Sequence, residues 1–380
     1  MIKQNWMGII VGMLLAGNVN AQVGYLEWLK PFVLPSEENG KKHIGLAGPI
    51  AGLSGDYLLI GGGANFPDRL PWEGGIKKVH NQVFIYTKDG DDLSLIGKDV
   101  LPVGVAYGTS VSIPKIGLLV IGGETEHGKT KRCKLLNYDR QTKKITIADF
   151  PDLPGPLSNM GAICVGNKVL VAGGEGPYGV SDQVYQIDLQ RSEKGWTVVG
   201  KLPYPVSHLQ LLTDDDNIYL VGGRMANKNA ASTLYQALLK SSDGGKHWVN
   251  LPDIPFKAAA GTSCILPDHG IWILSADRGD TFAAVENLIA QAQQETDPIE
   301  AQRLTESKNK LQRNHPGFGK EIWRFDLHEQ TWEKAGELPC TGPVTTTVII
   351  WDDMVILPSG EIRAGIRTPK IIRAVFKKQR

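Results

Sequence analysis

Ionisable residues recur directly after short apolar runs that end in Gly-Gly or in a variant of that doublet. Leu119-Val120-Ile121-Gly122-Gly123 is one such run, and Ile356-Leu357-Pro358-Ser359-Gly360 is another. The residues that follow the runs are Glu124, Glu175, Arg224, Asp277 and Glu361, with Gly63 as the exception. A scaffold that gathers these positions at one face would crowd their charges, shift their pKa values and equip them for acid/base chemistry. Solvated loop charges would produce the same pattern.

The runs themselves predict the scaffold. Their doublets begin at Gly61, Gly122, Gly173, Gly222, Ser275 and Ser359. A repeat of about fifty residues with four strands per unit is typical of kelch repeats in a β-propeller. Several units also end alike, with Trp196, Trp248 or Trp332 followed by a Leu-Pro pair. The sequence therefore predicts an all-β, six-bladed kelch propeller over residues 22–380, with these tryptophans packed between blades.

The sixth unit lacks its last strand. After the final doublet, Arg367 to Lys377 is enough for only one more strand. Near the N-terminus, Tyr25-Leu26-Glu27-Trp28 resembles an orphan fourth strand. If the N-terminal segment completes the C-terminal blade, the ring closes and no open sheet edge remains. We therefore predict closure of the last blade by both chain ends.

Composition and the first residues narrow the class of protein. The 380-residue chain has 41 basic and 40 acidic residues, so binding to nucleic acid through phosphate neutralisation is not expected. Residues 1–21 combine a positive start, a short apolar stretch and small residues before Gln22, which predicts a cleavable signal peptide and a periplasmic location. No membrane span is expected after cleavage; a retained anchor is the alternative.

Other motifs do not point to cofactor chemistry. Cys164 and Cys264 fall in blades three and five, and Cys133 and Cys340 also lie in different, non-adjacent units. No pair has metal-ligand spacing, which favours buried small side chains over disulfides or a metal site. Gly174-Glu175-Gly176-Pro177-Tyr178-Gly179 matches a dinucleotide pattern, but a strand follows it where a helix is required. Ser241 to Trp248 resembles an Asp box, which is a turn motif. No metal or organic cofactor is expected.

The stretch from Asp280 to Asn314 interrupts the repeat. It contains no glycine, and Asp297-Pro298 reads as a helix cap followed by proline in the first turn. We predict two helices, near 281–295 and 298–313, inserted between the second and third strands of blade five. The insertion is either a lid over the central cavity or a surface feature without a catalytic role.

The segment Ser359-Gly360-Glu361-Ile362-Arg363-Ala364-Gly365-Ile366-Arg367-Thr368 resembles the glycine, glutamate and arginine loop of bacterial N-acetylneuraminate epimerases, the sialic acid mutarotases. Ala106-Tyr107-Gly108 with Val120 to Thr125 resembles a second stretch of that family, and the helical insertion also has a counterpart there. The likeness covers nearly all of the mature chain but in rotated order. The chain therefore resembles a cyclically permuted branch of the mutarotases.

The resemblance implies that the protein interconverts the α and β anomers of N-acetylneuraminate or a related 2-keto acid sugar. Glu361 would be the acid/base catalyst, and Arg367 would hold the substrate carboxylate or offset developing charge. From their positions we add four candidate substrate-binding residues: Arg69, Glu124, Arg224 and Arg278. The leading alternative is a non-catalytic kelch module that binds a glycan or a protein. A sialidase would need an arginine triad with a tyrosine and glutamate pair, and the sequence does not reveal them. A copper oxidase would need tyrosine and histidine ligands near the axis, but the histidines are scattered without ligand spacing.

Overall fold

The apolar runs form the second strands of six four-stranded antiparallel blades, so the chain is a six-bladed β-propeller, as predicted. The computed structural model describes residues 24–37 and 40–378. The predicted signal peptide, residues 1–21, lies outside the described residues. Each blade runs from an inner strand beside the central axis to an outer strand at the rim.

Four strands make up each blade from the axis outwards. Blades one to three consist of Ala47–Ser54, Tyr57–Asn65, Gln82–Asp89 and Asp92–Val100; Thr109–Ile113, Gly117–Ile121, Cys133–Asp139 and Lys144–Phe150; and Gly161–Val165, Lys168–Ala172, Gln183–Asp188 and Thr197–Lys201. Blades four to six consist of Gln210–Thr213, Ile218–Val221, Leu238–Ser241 and Val249–Asn250; Ala259–Ile265, Gly270–Asp277, Glu321–Asp326 and Thr331–Glu337; and Ile349–Trp351, Met354–Pro358, Lys370–Lys378 and Gly24–Trp28.

The core lies between the blades. Buried apolar residues divide into six clusters, one at each contact between neighbouring blades. In blade one, Leu58 and Ile60 face blade six whereas Leu59 faces blade two, because successive strand residues point to opposite faces. Both faces of each blade are buried, which explains why the second strands are continuous apolar runs. Trp196 packs between blades two and three, as predicted.

A closed ring of backbone hydrogen bonds joins the six blades at one end of the axis. Each blade contributes the residue just before or at the start of its inner strand, and its amide donates to the carbonyl of the equivalent residue in the preceding blade, at 2.6–3.0 Å. The six residues are Gly48, Tyr107, Asn159, His208, Ala260 and Thr345. All six have φ between 50° and 58°. Five of them are not glycine, so the ring is held in a backbone conformation that such residues seldom adopt.

The two chain ends close the last blade, as predicted. Gly24–Trp28 pairs with Lys370–Lys378 as the outer strand of blade six, and Phe32–Val33 pairs with the same strand. The buried Arg373 reinforces the closure, since its guanidinium donates to the carbonyls of Lys30 (2.8 Å) and Asp91 and lies 4.4 Å from the centre of the Phe32 ring. Arg373 therefore links blade six to the N-terminal segment and to blade one.

The doublets end the second strands where neighbouring blades are closest. A Cβ on Gly222, which has a φ of 57°, would lie 2.0 Å from the carbonyl oxygen of Ala258 in the next blade. In blade one the two left-handed glycines are Gly62 and Gly63, so the residue after the doublet is Ala64. The sequence analysis placed Gly63 directly after the blade-one doublet. That assignment is wrong by one residue, because the strand contains three successive glycines and the left-handed pair is the second and third of them.

Short hairpins follow the doublets in four blades. They pair Glu124–Thr125 with Gly128–Lys129, Glu175–Gly176 with Gly179–Val180, Arg224–Asn227 with Ala230–Leu234, and Glu361–Arg363 with Ile366–Arg367. In blade one, Lys78–Val79 pairs with the end of the second strand. All of these segments lie at the face that carries the hydrogen-bonded ring, because the first residue of each hairpin bonds to the residue just before a ring residue.

Blade five carries two helices in place of a hairpin, as predicted: α1 (Asp280–Gln294) and α2 (Pro298–Arg313). The Asp297 carboxylate caps α2 by accepting from the Ile299 amide at 2.9 Å. Glu286 of α1 accepts from the amide and hydroxyl of Ser232 in the blade-four hairpin. α2 lies against the short 3-10 helix Pro71–Glu73 of blade one. The insertion therefore reaches from blade four to blade one.

Two further sequence expectations concern the cysteines and the membrane. All four cysteines are free; Cys133 and Cys264 are buried, whereas Cys164 and Cys340 are only half-buried. Neither α1, α2 nor any other described helix has the length and apolar character needed to cross a membrane.

The pairing of the N-terminal strand generates the first testable prediction. Leu26 packs against the cluster between blades five and six, whereas its neighbour Tyr25 is 46% exposed. Leu26→Asp should lower the free energy of unfolding by about 2–3 kcal/mol, because it places a carboxylate against apolar side chains. Tyr25→Asp, the matched control, should change it by less than about 1 kcal/mol. Equal thermal melting temperatures for the two variants would contradict the assigned register.

Candidate active site

The predicted pair Glu361 and Arg367 lies on the blade-six hairpin. The two residues are direct cross-strand partners, which explains their spacing of six in the sequence. One Glu361 carboxylate oxygen accepts from the Gly365 amide at 2.6 Å, and the other lies 3.7 Å from Nη2 of Arg367. The Glu361 amide and carbonyl both bond to Val344, the residue before Thr345 of the ring. The glutamate backbone is therefore rigidly placed beside the axis.

Arg367 is buried at the same place, with a side chain only 5% exposed. Its guanidinium lies 4.8 Å from the centre of the Phe66 ring of blade one, a contact that fixes its plane. Its Nε and Nη1 atoms are buried and have no hydrogen-bond partner among the described residues. A buried arginine with unused donors can bind an anion such as a carboxylate.

Tyr107 of the ring faces this pair from blade two. Burial raises the pKa of its phenol, and the negative charge of Glu361 acts in the same direction, whereas Arg367 and Lys77 oppose the shift. Lys77 also lies over the ring, 4.9 Å from its centre. Tyr107 is therefore a neutral hydroxyl beside the Glu361–Arg367 pair.

A second polar group lies at blades three and four. The Ser207 hydroxyl donates to Glu175 at 3.1 Å, and Nε of Arg224 donates to Nδ1 of His208 at 3.2 Å. Arg224 also lies 3.7 Å from Glu175 and 4.5 Å from the ring centre of Phe282 on α1. Burial holds the pKa of His208 well below its usual range, and the charges of Arg224 and Lys129 lower it further. His208 is therefore neutral near pH 7.

Asp277 lies between these two groups. It follows the blade-five second strand, and its carboxylate accepts from the Gly279 amide at 2.8 Å. Burial raises the pKa of Asp277 to about 6, and the negative charges of Glu361 and Asp280 act in the same direction, against the Gly279 amide and Arg224. The interactions with both Arg224 and Glu361 connect the two groups across blade five.

The structure brings together some of the predicted binding residues and not others. Glu124 lies at the same face on the blade-two hairpin, where it pairs with Lys77 at 2.9 Å. Arg278 instead pairs with Glu321 at 2.7 Å and stacks on Phe256, because it points to the opposite side of the chain from Asp277. Arg69 is exposed on the loop after Phe66. In the described part of the chain, neither Arg278 nor Arg69 forms a hydrogen bond or an ion pair with Glu361 or Arg367.

The charged residues lie at one mouth of the axial cavity. This cavity has a volume of about 430 Å³ and begins at Tyr107, Asn159 and His208 of the ring. Further along the axis the inner strands line it with polar residues such as Ser110 and Gln210 and with apolar residues such as Ile163, Leu211 and Ile265. Glu361 and Arg367 are not part of this lining, so the candidate site is the mouth and not the cavity below it.

Four contributors to the site were not predicted: Phe66, Tyr107, His208 and Phe282. Tyr107 and His208 each stand two residues before an inner strand, so the start of each repeat was a usable signal. Phe66 and Phe282 carry no comparable signal, because their contacts with Arg367 and Arg224 join different blades. In residues 24–37 and 40–378, no group of three or more His, Cys, Asp or Glu side chains is arranged to hold a metal ion.

The burial of Asp277 should make the stability of the folded protein depend on pH, which can be measured without an activity assay. Its pKa is about 6 in the folded protein and 3.8 ordinarily, so the folded state binds the proton more tightly. The contribution of Asp277 to the free energy of unfolding is therefore greatest below about pH 4. It falls by on the order of 1–3 kcal/mol as the pH rises to about 7. Asp277→Asn, which removes the charge, should melt at a higher temperature than the wild type at pH 7.5 and at a similar one at pH 4.

The exposed Asp253 supplies the matched control. Asp253→Asn should follow the wild-type melting curve at both pH values. The difference in melting temperature between Asp277→Asn and the wild type should be larger at pH 7.5 than at pH 4. An equal difference at both pH values would mean that the folded protein does not raise the pKa of Asp277.

Comparison with known proteins agrees with this architecture. The family model described as N-acetylneuraminate epimerase matches residues 14–147 and 150–380. The N-acetylneuraminate epimerase of Salmonella typhimurium is 27% identical over 231 residues, which are 60% of this chain and 58% of the relative. That of Haemophilus influenzae is 39% identical over 132 residues, 32% of this chain and 33% of the relative. The chain thus spans less than two thirds of these curated relatives in each alignment.

Among solved structures, that of YjhT superposes with a TM-score of 0.60 and 16% identity, covering 90% of this chain and 97% of YjhT. This likeness concerns the fold alone. The family match extends over nearly the whole chain and includes both Glu361 and Arg367. The chain belongs to the N-acetylneuraminate epimerase family.

Proposed function

We propose that the protein is a mutarotase that interconverts the α and β anomers of N-acetylneuraminate or of a closely related 2-keto acid sugar. The observation that carries the proposal is the cross-strand pair of the half-buried Glu361 and the buried Arg367 at the mouth of the propeller. The pair combines a proton acceptor with a cation that retains unused donors. The names of the family and of the curated relatives support the substrate class.

Glu361 is the acid/base catalyst in this proposal. Anomer exchange requires removal of the proton from the anomeric hydroxyl, opening of the ring, and return of a proton when the ring closes on the other face. The Gly365 amide and Arg367 stabilise the Glu361 carboxylate and orient it. A positioned group of this kind contributes a rate factor of about 10²–10⁴.

Arg367 binds the carboxylate of the sugar acid. A 2-keto acid sugar carries its carboxylate on the anomeric carbon, so one anchor places the reacting hydroxyl beside a neighbouring base. The guanidinium plane is fixed by Phe66, and two of its nitrogens have no partner among the described residues. A planar arginine fork matches a carboxylate with two parallel hydrogen bonds, which lysine cannot reproduce. The substrate would be met in the periplasm if residues 1–21 direct export.

Replacing the proposed base tests the chemistry. Glu361→Gln keeps the size of the side chain and can still accept from the Gly365 amide, but it cannot take up a proton. The enzyme-dependent rate of anomer exchange should fall by a factor of about 10² or more, with unchanged far-UV circular dichroism. Proton NMR of freshly released α-N-acetylneuraminate measures the rate, corrected for spontaneous exchange at the same pH.

The matched control for this variant is Glu329→Gln, on an exposed turn between the third and fourth strands of blade five at the opposite face. It should exchange anomers at the wild-type rate. Wild-type exchange by Glu361→Gln would remove Glu361 from the mechanism. Binding of the sugar by the wild type without any acceleration would favour the non-catalytic binding module.

Replacing the proposed anchor tests substrate binding. Arg367→Lys preserves the positive charge but loses the planar fork, so the KM for the sugar acid should rise by about tenfold or more, equivalent to a loss of about 1.4 kcal/mol in binding. Arg140→Lys, on an exposed turn of blade two, is the control and should leave KM unchanged. An unchanged KM in Arg367→Lys would mean that the sugar carboxylate binds elsewhere.

A further inference from the structure

Two carboxyl residues occupy equivalent backbone positions on neighbouring blades at the mouth. Asp277 pairs with Ala259 in blade five, and Glu361 pairs with Val344 in blade six. The residues after Ala259 and Val344 are the ring members Ala260 and Thr345, which are joined by a hydrogen bond of 2.8 Å. The two carboxyl groups therefore start from adjacent, rigid points of the ring.

Their surroundings differ in a way that separates their roles. Glu361 lies 3.7 Å from Nη2 of Arg367 and accepts from the Gly365 amide at 2.6 Å. Asp277 accepts only from the Gly279 amide and forms no ion pair with any described residue. The charged groups that act on it are Arg224 of blade four, Glu361 of blade six and Asp280 at the start of α1.

The other carboxylates at this face are paired with cations. Glu124 is paired with Lys77 at 2.9 Å, and Glu175 lies 3.5 Å from Lys129 and 3.7 Å from Arg224. Glu124 is on blade two and Glu175 is on blade three, whereas Asp277 is on blade five, next to the blade of Glu361. Asp277 is thus the carboxyl group placed to act together with Glu361 on one small substrate.

We propose that Asp277, in its protonated form, is the general acid that works opposite Glu361 in anomer exchange; this inference rests on the proposed mutarotase function. Glu361 takes the proton of the anomeric hydroxyl as the bond between the anomeric carbon and the ring oxygen breaks. The electron pair of that bond goes to the ring oxygen, which takes the proton of Asp277. The open-chain ketone and free hydroxyl result, with Glu361 protonated and Asp277 ionised.

Ring closure on the other face reverses each transfer. The free hydroxyl attacks the ketone carbon and gives its proton to Asp277, while the ketone oxygen takes the proton of Glu361. Both carboxyl groups return to their starting states, and no external acid, base or oxidant is consumed. Two carboxyl groups in different environments divide acid and base roles in this way because only one of them retains its proton.

The pKa of about 6 at Asp277 sets the expected pH dependence. The acid form is lost as the pH rises through that value, so the enzyme-dependent rate should decline above about pH 6. Asp280→Asn removes a negative neighbour that raises the pKa of Asp277, and should therefore move this decline to lower pH. A purely structural role for Asp277 would not produce that shift.

The experiment compares wild type, Asp277→Asn, Asp280→Asn and the exposed control Asp253→Asn by NMR of α-N-acetylneuraminate between pH 5 and pH 8. Asp277→Asn should exchange anomers at least tenfold more slowly below pH 6, with little change in affinity for the sugar and without the decline at higher pH. Asp253→Asn should match the wild type in rate and profile.

Three outcomes distinguish the possibilities. Acceleration by the wild type together with an equal rate for Asp277→Asn overturns the role of Asp277 and leaves the proposed function intact. No acceleration by the wild type overturns the proposed function and this inference with it. If Asp277→Asn does not fold, the profiles of wild type and Asp280→Asn decide, since coincident profiles would overturn the inference.

Discussion

The ring of six backbone hydrogen bonds around the axis is the constraint on which the site depends. Each blade gives one residue to the ring, and each bond crosses from one blade to the next. The residue before each ring member then pairs with the residue after the doublet, in all six blades. Six equivalent positions at this face are therefore tied to a closed circle of the backbone. A closed circle resists displacement of any single member because every neighbour would have to move with it.

The chemistry at the mouth follows from unequal burial and pairing of similar groups. Glu124, Glu175, Asp277 and Glu361 occupy equivalent positions, yet each has a different set of neighbours. Cations compensate Glu124 and Glu175, a buried arginine with unused donors accompanies Glu361, and Asp277 has burial and negative neighbours. The repeat thus supplies a common position, and the neighbouring blades give the side chain placed there a different set of partners, which at Asp277 raises the pKa.

Local sequence signals predicted much of this site. The spacing of Glu361 and Arg367 matches direct partners in a short hairpin, and Asp297-Pro298 marked the start of α2 to the residue. Arg278 was predicted from its closeness to Asp277 in the sequence, but the structure pairs its side chain with Glu321, so its role in binding stays a prediction. Arg69 lies exposed on a loop without a repeat position, so the sequence gave no direction for its side chain, and its role in binding also stays a prediction. The rotated order of the repeats relative to other family members stays a prediction.

The amino-acid sequence alone was enough for the number of blades, the closure by both chain ends and the helical insertion. These features follow from periodic apolar runs, glycine doublets and helix caps, which are local patterns. The tertiary structure alone decided which side chains meet at the mouth. Tyr107 of blade two faces Arg367 of blade six only because the ring closes. Phe282 lies over Arg224, and Asp277 lies near Glu361, because consecutive blades pack side by side. Such contacts depend on the packing of all six blades, and no short segment encodes them.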